Sequence, residues 1–152
     1  MEQVITIRPI EPQDNAALAE IIRAALTEFG ANKPGTVYFD PTTDALFELF
    51  RTKGSYYFVA TSQNKVLGGC GIFPTANLPE GTCELVKLYV NKDARGTGTG
   101  KKLMEKSMEW AKENGYTQVH RAADDEQIRA YMEAGDQMGY LWKQGLFPGA
   151  NP

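Results

Sequence analysis

The chain has 152 residues, 42% of them apolar and 23% charged, with a formal net charge of −3. This is a length for one domain with a real core, and the negative balance provides no basic field for nucleic acid. No apolar run approaches the ~20 residues of a membrane span, and Met1-Glu2-Gln3 lacks the start of a signal peptide.

Val4, Ile5 and Ile7 before Arg8-Pro9 predict a first strand, ended by Pro9 and Pro12. Asp14 is a good cap for a helix carrying Ala17, Leu18, Ile21, Ile22, Ala25, Leu26 and Phe29, closed by Gly30. The turn-rich connection 31–41 carries Lys33, Tyr38 and Phe39. Thr43 or Asp44 can cap a second helix with Leu46, Phe47, Leu49 and Phe50, stopped by Gly54. The aromatic connection either roofs a pocket or joins the core.

Tyr56 to Ala60 reads as a strand, Ser62-Gln63-Asn64-Lys65 as a hairpin turn, and Val66 to Phe73 as the returning strand. Gly68, Gly69 and Gly71 there signal a bulge or a close backbone approach. Cys83 to Val90 is the next strand. A helix follows with Leu103, Met104, Ser107, Met108 and Ala111 on one face, ended by Gly115. Tyr116 to His120 is another strand. A further helix with Ile128, Tyr131 and Met132 and a short strand within Tyr140 to Phe147 complete the chain. This order predicts a mixed α/β sheet with helices packed on it. Cys70 and Cys83 are too few for a disulfide framework and, with one His, give no metal-ligand spacing. Two reduced thiols in a cytoplasmic protein, with no metal, are the expectation.

Between the strand at Val90 and the helix at Leu103 lies Arg95-Gly96-Thr97-Gly98-Thr99-Gly100-Lys101-Lys102. Alternate glycines let a backbone pass close to a ligand, and a helix opening there turns its unpaired N–H groups and positive dipole end to the loop. A phosphate or pyrophosphate is the natural guest. The spacing is Gly-x-Gly-x-Gly, which fails the dinucleotide fingerprint. Arg95 stands where a P-loop needs its first Gly, and Lys102 where it needs Ser or Thr.

With the strand Glu84-Leu85-Val86-Lys87-Leu88-Tyr89-Val90 before it, the loop resembles the GNAT superfamily of acetyl-coenzyme A-dependent N-acetyltransferases. That family's signature is Gln/Arg-x-x-Gly-x-Gly/Ala after such a strand, and Arg95, Gly98 and Gly100 fall on it. The resemblance covers roughly residues 3 to 119. It implies a mostly antiparallel central sheet flanked by helices, with a splayed pair of parallel strands at the cofactor site. It implies acetyl-CoA as co-substrate, its pyrophosphate on the backbone of Arg95, Gly96, Thr97, Gly98, Thr99, Gly100 and Lys101. The pantetheine arm would lie along Leu88, Tyr89 and Val90. The acceptor would be a primary amine of a small molecule or peptide, with neither nucleic acid nor membrane as partner.

Glu84 matches the position of the family's general-base glutamate. Strand alternation puts it on one face with Val86, Leu88 and Val90, where apolar neighbours favour the proton-accepting role; a bulge would reverse that parity. A solvent-facing Glu, or a partner for Lys87, is the other reading. Tyr131 resembles the family's acid, a Tyr whose hydroxyl meets the thioester sulfur, in Tyr131-Met132-Glu133-Ala134-Gly135. Asp136 replaces the expected Phe, and Gly139-Tyr140 is the competing match. His120 reads as structural or solvent-facing, since nothing in the sequence partners it. From about His120 the family pattern decays. The expectation is a single domain over 1–152 with an atypical end, from a frameshift or truncation. The alternative function is a catalytically impaired CoA-binding or sensor module. An incomplete sheet edge would invite a second copy, as a homodimer.

Overall fold

The computed structural model describes residues 4–28, 30, 32, 34 and 37–121. Five strands form one sheet in the order of the chain: β1 (Thr6–Pro9), β2 (Tyr56–Ser62), β3 (Lys65–Phe73), β4 (Thr82–Val90) and β5 (Gln118–Arg121). The first three pairings are antiparallel and β4–β5 is parallel, as the fold expectation required. β2 and β3 meet at Gln63-Asn64, both with positive φ, the two-residue turn that suits the twist of a hairpin. The expected Tyr131 helix and the last strand lie outside the described residues.

The sheet divides two cores. α1 (Asn15–Glu28) and the single turn α2 (Leu46–Leu49) cover one face, where Leu18, Ile22, Leu46 and Phe50 pack on Tyr57, Val59 and Tyr89. α3 (Thr99–Glu113) covers the other, where Leu103, Met104, Met108 and Ala111 pack on Phe58, Ala60, Cys70, Leu85 and Leu88. Every residue expected on the inner face of α3 is buried. Its end is a Schellman turn: the Tyr116 N–H donates to Ala111 C=O, and Gly115, at φ 90°, donates to Lys112 C=O.

Asp14 does not cap α1. It closes a 3-10 turn, Pro12–Asp14, and accepts from the Glu11 N–H and from both terminal nitrogens of Arg8, at 2.8 and 2.9 Å. The buried carboxylate ties the start of α1 to β1, because a bidentate arginine satisfies it better than a local N–H alone.

Candidate active site

The site is organised by a bulge in β4. Gly71 pairs with Val86 and Gly69 with Tyr89, so two steps on β3 face three on β4. Lys87 takes up the extra residue at φ 54°, a left-handed conformation that costs an ordinary side chain energy and persists only where its surroundings hold it. Tyr57 of β2 is the hold. Its ring lies over β3, where a Cβ on Gly69 would come within 2.3 Å of it, and its hydroxyl donates to the Lys87 carbonyl at 2.9 Å. The glycines of β3 are the close approach foreseen in the sequence, and the bulge sits on the strand opposite them.

The bulge changes where Glu84 points. Cys83 and Leu85 belong to the α3-face core, and after Lys87 so do Leu88 and Val90. Glu84 shares the α1 face with Val86 and Tyr89, and not with Leu88 and Val90 as simple alternation predicts. Its carboxylate accepts from the Thr75 hydroxyl and makes no ion pair with Lys87. β5 pairs with β4 from Thr82–Gln118 to Leu85–Arg121, which sets Glu84 beside His120. Neighbours in a parallel ladder share a face, so the histidine that lacked a partner in the sequence has a carboxylate as its strand neighbour. Parallel register depends on α3 and its flanking loops, which is why the pairing escaped sequence reading.

On the same face, burial pulls the Lys87 ammonium below its ordinary value, and the nearby Asp40 carboxylate partly offsets this. Asp40 is itself held by the Thr42 N–H and hydroxyl at 2.9 and 2.8 Å. Arg23 of α1 fixes the surrounding connection, gripping Asp44 at 2.6 and 2.8 Å and donating to the Tyr38 carbonyl at 3.0 Å. Tyr38 is half-buried, while Phe39 is exposed over the connection. Cys83, buried in the opposite core, has its thiol pushed up to about 12 by burial and is inert as a nucleophile. Among the described residues no three His, Cys, Asp or Glu side chains cluster as a metal site.

The glycine loop follows. A 3-10 turn, Lys92–Ala94, ends at Arg95. Gly96 and Gly98 are left-handed at φ 78° and 83°, and Gly98 opens α3 without any side-chain cap. Thr97 donates its hydroxyl to the Ala94 carbonyl and shares a hydrogen bond with Thr99. Thr99 and Gly100 are buried, and Lys101 and Lys102 are exposed. A Cβ at Gly98 would meet nothing within 4 Å, so the loop is open on that side. An uncapped helix N-terminus, open space and exposed lysines fit a pyrophosphate. The Arg95 guanidinium turns elsewhere, to Glu28 at the end of α1, at 2.8 and 2.9 Å. A cavity of about 530 Å³ lies beside that pair, between α1 and the ends of β3 and β4, with Ile21, Ala25, Val66 and Val90 among its lining. Tyr131, the expected acid, lies outside the described residues.

Residues 17–135 match the sequence profile of the acetyltransferase (GNAT) family. An uncharacterized N-acetyltransferase of Escherichia coli K12, YjgM, is 37% identical over 116 residues, 75% of this chain and 69% of its own. A GNAT-family acetyltransferase from Staphylococcus aureus Mu50 superposes with a TM-score of 0.71 at 20% identity, covering 86% of this chain and 79% of its own. A predicted acetyltransferase with acetyl-CoA from Clostridium acetobutylicum superposes at 0.65 with 18% identity, over 88% and 90% of the two chains.

Proposed function

The chain belongs to the GNAT acetyltransferase family, and from that premise we propose that it transfers an acetyl group from acetyl-CoA to a primary amine of a small molecule or peptide. The observation that carries this reading is the succession of the bulged β4, the left-handed glycines and the uncapped start of α3. The backbone from Arg95 to Lys101 would hold the pyrophosphate, and Leu88, Tyr89 and Val90 would flank the pantetheine arm. Bound acetyl-CoA supplies an activated acetyl carbonyl. Glu84, oriented by Thr75, takes the proton that the attacking amine must shed as its nitrogen bonds to that carbon and the carbon–sulfur bond breaks. Tyr131 gives its proton to the departing sulfur, a role that rests on the family resemblance; the profile match extends past it.

Thermal shift with acetyl-CoA, then thiol release with a panel of amines, tests the reading. A raised unfolding midpoint and amine-dependent thiol release are expected. Glu84→Gln should lower kcat by about 10²–10⁴, with KM for acetyl-CoA unchanged. Absence of any shift at millimolar acetyl-CoA would overturn the proposal. A shift with no thiol release from any amine would favour a CoA-binding module without turnover.

A further inference from the structure

We propose that Glu28 is a positioning residue for the cofactor loop: by gripping Arg95 it keeps the loop shaped to receive the pyrophosphate. The inference rests on the acetyltransferase reading above. Glu28 is the last residue of α1, and no basic residue stands in that last turn. A carboxylate there faces the negative end of the helix dipole, an unfavourable place unless a cation from outside the helix compensates. Arg95, 67 residues further along the chain, is that cation, with Nη1 at 2.8 and 2.9 Å from the two carboxylate oxygens.

The cost of the location points to what the pair does. Arg95 stands in extended backbone between the end of a 3-10 turn and Gly96. Gly96 and Gly98 restrict the chain little, and the hydroxyl bonds of Thr97 stay within the loop. The ion pair fastens the beginning of this pliable stretch to α1, and α3 fastens its end. The Arg95 side chain is 14% exposed, and its Nη1 is engaged by Glu28 on α1. The pair therefore acts on the pyrophosphate through loop shape, by lowering the ordering cost of binding.

The alternative arrangement, in which Glu28 withholds Arg95 from the phosphates, predicts the opposite sign. With Glu28→Gln, we expect CoA affinity by calorimetry to fall, and KM for acetyl-CoA to rise, about fivefold to tenfold, with kcat unchanged. Acetyl-pantetheine has no pyrophosphate, so its KM as acyl donor should not move. Arg95→Met should lose as much, and the double variant no more. CoA binding by Glu28→Gln as tight as, or tighter than, that of the unsubstituted protein would overturn the proposal. An equal loss with acetyl-pantetheine would do the same, since it would mean general damage. Failure of the unsubstituted protein to bind CoA would instead remove the acetyltransferase reading beneath it.

Discussion

At the scale of single residues, Tyr57 decides the shape of β4. Its side chain is buried and crosses β3 at the glycines, so its hydroxyl reaches the carbonyl of a residue two strands away. That hydrogen bond holds Lys87 in a left-handed conformation, and the bulge there decides which β4 side chains face α1 and which face α3. Tyr57→Phe keeps the ring and removes only the hydroxyl. It should cost about 1 kcal/mol of stability by denaturant unfolding, the worth of one buried hydrogen bond. It should also lower kcat/KM by more than that loss of stability affects the folded fraction, because the register from Lys87 onward is no longer pinned. Full activity in a Tyr57→Phe protein of reduced stability would show that the bulge holds itself.

At the scale of elements, Arg8 and Asp14 join β1 to the start of α1. Burial would raise the Asp14 carboxyl; the Arg8 hydrogen bonds, the Glu11 N–H and the Arg8 charge together outweigh it and leave it below 3.8. The unfolded chain therefore takes up this proton first on acidification. The contribution is complete above pH 3.8 and is lost as pH falls through the lower, folded value. Asp14→Asn removes the buried bidentate partner of Arg8, leaving it only the more distant Glu11 carboxylate at 3.8 Å, and should cost about 2–3 kcal/mol at neutral pH. The difference between the two proteins should shrink in acid unfolding titrations; a pH-independent difference would assign the effect to packing. This element junction also shows what the sequence conveys. Periodicity marked the inner face of α3 because one helix is a local object, and Gln63-Asn64 marked the hairpin for the same reason. Asp14 looked like a cap because caps are local, yet its best partner lies on β1. Glu84 and His120 looked unrelated, and nothing near Arg95 in the sequence pointed to Glu28, because strand register and the Glu28 contact are settled only when distant elements pack. Three glycines in β3 announced a close approach, but not that Tyr57 fills it at Gly69 and Gly71 while the β4 backbone fills it at Gly68.

At the scale of the whole molecule, the sheet is shared by two cores among the described residues, one on each face. Leu18 of α1, 1% exposed, belongs to one, and Leu103 of α3, fully buried, to the other. Alternate residues of the same strand serve both: Tyr57 and Val59 face α1, Phe58 and Ala60 face α3. Neither core can lose its sheet face without exposing the other, so the two should unfold as one unit. Leu18→Ala and Leu103→Ala should each cost about 2–4 kcal/mol, the usual penalty of a buried leucine truncated to leave a cavity. Each should shift a single transition seen alike by far-UV circular dichroism and by tryptophan fluorescence. In a Trp142→Phe background, Trp110 is the sole tryptophan reporter, stacked on Tyr56 with ring centroids 5.1 Å apart at the α3 side. On the reading that the protein binds acetyl-CoA, saturating cofactor should raise the midpoint of both variants, since a ligand of the folded state stabilises the entire cooperative unit whichever face carries the defect. If Leu18→Ala split the transition, with Trp110 reporting only the later step, the two faces would be separate folding units. A defect beneath α1 would then leave the α3 side intact.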